Sequence, residues 1–226
     1  MLITLPDLLD HEQVRACRQA LESASWTDGR RTAGHVAARV KANHQLATDD
    51  PVALQIGTRI RQALSAHPVF QSAVLPVRIL PPRFNRYAGG EHYGLHIDNA
   101  IFRLPDDPGL IRCDVSTTVF FSDPEEYEGG ELIVQDTYGD QRIKLPAGHA
   151  VVYPGTSLHR VTPVTRGVRY GSFFWTQSLV RDDSRRNLLL QQDVAIQRLI
   201  QSQGDQAAID ALTGVYHNLL RLWSEI

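Results

Sequence analysis

The stretch from Asn85 to Asn99 reads Asn-Arg-Tyr-Ala-Gly-Gly-Glu-His-Tyr-Gly-Leu-His-Ile-Asp-Asn. Near its end, His96 and Asp98 stand two positions apart, so on an extended backbone both side chains leave the same face of the strand. An imidazole and a carboxylate would then converge on one point, as metal ligands do. Two ligands seldom hold a first-row metal, so a third side chain is needed from elsewhere in the chain.

The third ligand is expected from His159, which is separated from Asp98 by several strand-like runs. Two histidines and one carboxylate leave three adjacent positions of an octahedral iron open, as in non-haem Fe(II) oxygenases. These positions can take O₂ and a bidentate 2-oxo acid. If that acid has a second, buried carboxylate, a guanidinium offers two parallel donors for it. Arg169, at the start of a strand-like segment ten positions after His159, is predicted to fill this role.

Short alternating segments dominate the middle of the chain. Between residues 112 and 122, one face of a strand would carry Val115, Thr117, Val119 and Phe121. Similar short runs recur about every 8 to 12 residues with glycine and proline between them, which favours a sandwich or jelly roll over alternating β and α units.

Helical segments are expected at both ends of this β region. Asp10 and Gln13 have the spacing of a capping box, and Asp50-Pro51 is a favourable start for a second helix. From Leu188 to Trp223 the pattern becomes helical again. The sequence therefore predicts a mainly β fold with amino-terminal helices and a carboxy-terminal helical appendage.

Composition narrows the class of protein. The chain has 226 residues, 42% of them apolar and 21% charged, which suits one globular catalytic domain with elaborations. The net charge of −2 argues against electrostatic binding of nucleic acid over a broad surface. Cys17 and Cys113 are the only cysteines, which favours a reducing, cytoplasmic location. No long apolar run suggests export or membrane spanning.

The landmarks of the chain resemble those of the bacterial PKHD-type hydroxylases, a branch near the prolyl hydroxylases among the Fe(II)- and 2-oxoglutarate-dependent dioxygenases. The resemblance covers nearly the whole chain. The matching residues are Trp26-x-Asp28-Gly29, Thr32-Ala33-Gly34, Asn85-Arg86-Tyr87, Gly90, Tyr93-Gly94, His96-x-Asp98-Asn99-Ala100, Tyr127-Glu128-Gly129-Gly130-Glu131-Leu132, Pro146-Ala147-Gly148, Tyr153-Pro154, Leu158-His159-x-Val161, Gly167-x-Arg169 and Trp175-x-Gln177-Ser178.

This resemblance implies a double-stranded β-helix in which His96, Asp98 and His159 bind Fe(II) and Arg169 binds 2-oxoglutarate. The expected core spans residues 76–178, preceded by an elaboration over 1–75 and followed by a helical appendage over 183–226. The implied reaction uses O₂ to hydroxylate a peptidyl or amino-acid side chain, or a small molecule, and releases succinate and CO₂. The resemblance also implies dependence on L-ascorbate, which keeps the iron ferrous.

Several alternatives remain open from the sequence. Tyr87 is either a contact of the 2-oxo acid or a core residue with a satisfied hydroxyl. His92 and His149 are alternative histidines, and Arg166 competes with Arg169.

At the level of function, the alternatives are a metal- or 2-oxoglutarate-sensing module without turnover and an AlkB-like nucleic-acid demethylase. Residues 99–110 are expected to form a lid that selects substrate. The carboxy-terminal helices are a reasonable contact for a homodimer.

Overall fold

The computed structural model describes residues 1–32, 39–103 and 109–225. The α-helices of these ranges are α1 (His11–Ser23), α2 (Pro51–Ala66), α3 (Pro68–Val74), α4 (Asp183–Gln201) and α5 (Gln206–Trp223). The strands are β1 (Ile3–Leu5), β2 (Thr27–Asp28), β3 (Lys41–Ala42), β4 (His44–Gln45), β5 (Pro76–Ile79), β6 (Arg83–Ala88), β7 (His92–His96), β8 (Ile101–Arg103), β9 (Leu110–Arg112), β10 (Val115–Phe120), β11 (Tyr127–Gly129), β12 (Leu132–Asp136), β13 (Gly139–Ile143), β14 (Ala150–Pro154), β15 (His159–Val161) and β16 (Val164–Ser178). Short 3₁₀ helices cover Gly29–Thr32 and Pro124–Glu126.

Two antiparallel sheets form a double-stranded β-helix, as predicted. The larger sheet runs in the order β1-β14-β10-β16-β6-β4-β2, and β5 and β11 also pair with β16. The smaller sheet runs in the order β13-β12-β15-β7-β3, and β8 pairs with β9 in a separate ribbon. The 15-residue strand β16 is central, because it pairs with β10 along one edge and with β6 along the other.

The alternating pattern in β10 places its side chains in two different cores. Val115, Val119 and the following Phe121 belong to a cluster that the larger sheet forms with the amino-terminal helices. Phe120 belongs to a second cluster between the two sheets, where it is joined by Leu132 of the smaller sheet. Every residue of β10 is buried. The strand predicted from alternation is present, and both of its faces are covered.

The helices cover the ends of the β core. The predicted capping box of α1 is formed, because the Gln13 amide donates to Asp10 Oδ1 and the Asp10 amide donates to Gln13 Oε1. Asp50 likewise caps α2, through the Val52 amide. Helices α4 and α5 close a small apolar cluster around Leu189. No helix in the described ranges has both the length and the apolar composition needed to cross a membrane.

Gly167 lies within β16, where it pairs with Tyr127 of β11, and it offers a test of the close packing between these two strands. Its backbone is left-handed, with φ +73°, and an added Cβ would overlap the carbonyl oxygen of Glu126 and lie 2.9 Å from Tyr127 Cα. Gly89 is also left-handed, with φ +57°, but no atom of the described residues lies within 4 Å of a Cβ there. Alanine at either position bears a backbone cost of about 1–2 kcal/mol, and only Gly167→Ala adds overpacking of about 1–3 kcal/mol.

We therefore expect Gly167→Ala to lower the free energy of unfolding by more than Gly89→Ala does. Urea unfolding followed by circular dichroism measures both values. Equal losses in the two variants would show that the close approach to Glu126 does not constrain this part of β16.

Candidate functional site

Three ligand-type side chains meet at one end of the smaller sheet. His96 ends β7, Asp98 follows it by two positions, and His159 begins β15 directly opposite His96 in the strand register. The Nε2 atoms of His96 and His159 lie 4.0 and 3.8 Å from the two carboxylate oxygens of Asp98. One ligand atom from each residue lies within 4.8 Å of the others, so one ion can be reached from all three side chains.

The two imidazoles are oriented by backbone carbonyls. His96 Nδ1 lies 2.8 Å from the carbonyl oxygen of Gly94, and His159 Nδ1 lies 3.0 Å from that of Ser157. A carbonyl can only accept, so each Nδ1 carries a hydrogen, and in a neutral ring Nε2 then keeps its lone pair for a metal. Burial, followed by the neighbouring His159, lowers the pKa of His96 to about 4, which keeps this ring neutral near pH 7.

Ser116 holds the carboxylate of the group. Its hydroxyl, on β10 of the opposite sheet, donates a 2.7 Å hydrogen bond to Asp98 Oδ2. Ser116 is 2% exposed, so this bond is sheltered from water. Ser116 is not among the site residues predicted from the sequence. The signal that could have found it is its position on the face of β10 opposite Val115 and Val119.

Arg169 lies deep in the same cleft and is 1% exposed. Its Nε and Nη1 atoms donate no hydrogen bond within the ranges that the structure describes. The guanidinium carbon lies 5.4 Å from the ring centre of Tyr87 and 5.3 Å from that of Phe120. A buried cation without a paired anion costs several kcal/mol. The geometry therefore suits an anionic ligand that brings its own acceptors.

Tyr87 combines features of both sequence alternatives. It is fully buried, and burial raises the pKa of its hydroxyl to about 12. That hydroxyl accepts a 3.3 Å hydrogen bond from Asn85 Nδ2, while the ring forms a wall of the cleft beside Arg169. The residue is thus part of the core and also faces the space that a ligand of Arg169 would occupy.

The competing residues lie elsewhere. Arg166 forms an exposed ion pair, with its Nε 2.8 Å from Glu128 Oε1. His149 Nδ1 accepts from the Asp7 amide. His92 lies on β7, with Nδ1 3.3 Å from the Gly90 carbonyl, and belongs neither to the three-residue group nor to the cleft lining. The structure thus brings together His96, Asp98, His159, Arg169 and Tyr87 and leaves these alternatives outside.

Comparison with protein-family models gives two adjacent matches. Residues 82–177 match the model described as the 2OG-Fe(II) oxygenase superfamily. Residues 183–225 match the model described as the PKHD-type hydroxylase C-terminal domain.

Solved structures show a similar fold at low sequence identity. A prolyl hydroxylase from Trichoplax adhaerens, in complex with a hypoxia inducible factor peptide fragment, has a TM-score of 0.58 at 14% identity, over 83% of this chain and 86% of that one. HygX from Streptomyces hygroscopicus, with nickel, 2-oxoglutarate and hygromycin B bound, has a TM-score of 0.53 at 16% identity, over 79% and 84%.

A relative that matches nearly the whole of this chain shows which family the chain belongs to. A PKHD-type hydroxylase from Parvibaculum lavamentivorans is 57% identical over 224 residues, which is 99% of this chain and 99% of that protein. Identity of this extent, together with both domain matches, shows that the chain belongs to the PKHD-type hydroxylases within the 2OG-Fe(II) oxygenase superfamily.

Proposed function

We propose that this protein is an Fe(II)- and 2-oxoglutarate-dependent dioxygenase that hydroxylates its substrate and releases succinate and CO₂. The observation that carries the proposal is the buried guanidinium of Arg169, two of whose nitrogens donate to no group of the described chain. It lines the same cleft as His96, Asp98 and His159. A carboxylate tail and a metal-chelating head on one small molecule would satisfy both features.

The donor set fits Fe(II). Two neutral imidazole nitrogens and one carboxylate form the facial ligand set of non-haem iron oxygenases. When bound, the iron supplies the oxidising chemistry, using O₂ and the 2-oxo acid at the positions these ligands leave open. In this proposal His96 and His159 bind through Nε2, and Ser116 fixes the carboxylate of Asp98 by its hydrogen bond.

Arg169 would receive the distal carboxylate of 2-oxoglutarate. Its planar guanidinium can donate two parallel hydrogen bonds to one carboxylate, and burial makes each bond stronger than it would be in water. The rings of Tyr87 and Phe120 lie beside the guanidinium and limit its movement. We assign Tyr87 a place in the 2-oxoglutarate subsite on this contact. In this proposal, Arg169, Tyr87 and Phe120 bind and orient 2-oxoglutarate and exclude water from its distal end.

The substrate is proposed to be a peptidyl or amino-acid side chain, or a small molecule. Proteins of this fold take both kinds, since one neighbour binds a peptide fragment and another binds hygromycin B. The expected lid over residues 99–110 lies partly outside the described residues, at 104–108. On either side of that gap, β8 and β9 pair as a ribbon, and Phe102 of β8 lines the cleft.

The proposal also covers how the chain is divided into segments and where the protein acts. We retain the division into a core over 76–178, an elaboration over 1–75 and an appendage over 183–226. The two family matches fall within the core and the appendage. Strands β1 to β4 of the elaboration join the core sheets. L-ascorbate as a cofactor, a cytoplasmic location and a homodimer through α4 and α5 also belong to this proposal.

Replacement of a ligand should abolish turnover without unfolding the chain. Succinate formation from 2-oxoglutarate should fall by at least about 100-fold in His96→Ala. Mutation of a residue that only supports a metal ligand already lowers metal affinity or activity about 10- to 100-fold, and loss of the ligand itself should cost at least as much. His92→Ala is the matched control, since His92 lies on the same strand but outside the ligand group. Circular dichroism should show the same melting temperature for both variants.

Two outcomes of this assay would count against the proposal. Succinate formation that persists unchanged in His96→Ala would show that the ligand assignment is wrong. A wild-type protein that binds 2-oxoglutarate but forms no succinate would instead support the sensor alternative.

Ser116→Ala tests the support of the carboxylate ligand. Without the 2.7 Å bond to Asp98, the carboxylate can rotate away, so we expect the affinity for Co(II), used as an air-stable substitute for Fe(II), to fall about 10- to 100-fold. Ser172→Ala is the control, because Ser172 is equally buried but donates to the Arg83 carbonyl. Isothermal titration measures both affinities. The same loss in both variants would mean that general destabilisation, and not Asp98, is responsible.

A further inference from the structure

The outer end of the cleft carries a second arginine. Arg83, on β6, lies with its guanidinium carbon 5.4 Å from the Phe102 ring centre and 5.5 Å from that of Trp175. These two rings stack on each other with centroids 4.6 Å apart, and Phe173 meets Trp175 edge-on. Contacts between a cation and aromatic faces hold the guanidinium in place. All four residues line the cleft.

The positive charge of Arg83 is directed into the cleft. Within the described ranges, its guanidinium has neither a carboxylate partner nor a hydrogen-bond acceptor, whereas Arg112 is paired with Asp114 and Arg18 with Glu126. Burial lowers the pKa of Arg83 from its ordinary value, yet an arginine side chain remains protonated in proteins. A partly buried cation held by rings alone has its donors available for a ligand.

Arg83 and Arg169 lie at different depths of the cleft, and their guanidinium groups contact different aromatic rings. In the pairing of β6 with β16, Tyr87 is opposite Arg169 and Arg83 is opposite Phe173. Four residues of strand separate these two levels, which corresponds to about 13 Å. Arg83 and Tyr87 both face the cleft. The wall therefore presents two cationic positions at different depths.

In the proposed complex, the charge of Arg83 is not balanced by the other charges of the cleft. Among the described residues, the charged side chains that line the cleft are Lys41, Arg83, Asp98 and Arg169. The two charges of Fe(II) and the charge of Arg169 would be balanced by Asp98 and the two carboxylates of 2-oxoglutarate. Within this described lining, the charge of Arg83 then remains without a balancing negative charge. Lys41 adds positive charge, although burial and the nearby Arg83 lower its pKa to about 8.

We propose that Arg83 is a specificity-determining residue whose guanidinium receives an anionic oxygen group of the substrate, a carboxylate or a phosphate. This inference rests on the proposed function, because it places the substrate beside an already loaded metal and 2-oxoglutarate site. A planar guanidinium binds both groups through paired hydrogen bonds. The same charge repels cationic substrates. The partly buried Phe102 and Phe173 supply an apolar wall beside the anion.

Binding of simple anions to the loaded, inactive protein tests the proposal. The full chain is saturated with Zn(II) and 2-oxoglutarate, so that Arg169 is engaged and no turnover occurs. Phenylacetate, phenyl phosphate and the neutral phenylacetamide are then titrated and followed by ligand-observed NMR. We expect at least one of the anions to bind at least about tenfold more tightly than the amide, and the tighter of the two identifies the group.

Variants of the same strand assign the effect to Arg83. Arg83→Gln should weaken binding of the preferred anion by about tenfold and leave phenylacetamide unaffected, and Arg83→Lys should retain part of the affinity. Arg86→Gln is the matched control, because it removes the same charge from β6 at a residue that does not line the cleft. Its anion affinity should equal that of the wild type.

Each outcome separates this inference from the proposed function. Equal binding of amide and anions, or unchanged anion binding in Arg83→Gln, overturns the role of Arg83 while the dioxygenase assignment stands. Binding of 2-oxoglutarate to the Zn(II) protein is measured first in every sample. If the wild type does not bind 2-oxoglutarate, the proposed function fails, and the inference that rests on it fails as well.

Discussion

The site depends on one electrostatic constraint, the burial of the Arg169 guanidinium in a cleft where two of its nitrogens have no acceptor among the described residues. Such a cation destabilises the ligand-free protein, and the fold must hold it in place by other means. It does so with the rings of Tyr87 and Phe120 and with the long strand β16, which is hydrogen-bonded on both sides. Under the proposed function, the distal carboxylate of 2-oxoglutarate would offset this cost.

The two sheets contribute different residues to the site. The smaller sheet brings His96 and His159 together as cross-strand neighbours, while the larger sheet carries Arg169 and the serine that holds Asp98. Because the apolar cluster between the sheets fixes their separation, it also fixes the distance between the ligand group and the guanidinium. Stability of the jelly roll and precision of the site therefore have the same source.

Features set by local sequence were predictable, and features set by distant partners were not. The alternation of apolar and polar residues located β10, and the capping residues located α1 and α2. Helix α3 was missed, because Val69 and Phe70 favour strands. There, Pro68 in the first turn and the His67 ring, which accepts from the Phe70 amide, outweigh that preference.

The same distinction applies to the site. His96 and Asp98 are neighbours in sequence, so their convergence follows from strand geometry alone. The bond from Ser116 to Asp98 and the position of Arg83 over Phe102 and Trp175 depend on how separate strands pack, which no spacing rule encodes. The Asp28-Gly29 dipeptide is typical of a turn, yet residues 27–28 form a short strand because β4 offers them an edge to pair with.

The most direct test of the central claim is an anaerobic titration of the Fe(II)-loaded protein with 2-oxoglutarate, followed by visible absorption. Chelation of the iron by the 2-oxo acid should produce a charge-transfer band that saturates at one 2-oxoglutarate per chain and requires the metal. In Arg169→Gln the same band should need a much higher 2-oxoglutarate concentration. A band absent from the wild type, or equal 2-oxoglutarate affinity in the two proteins, would contradict the account.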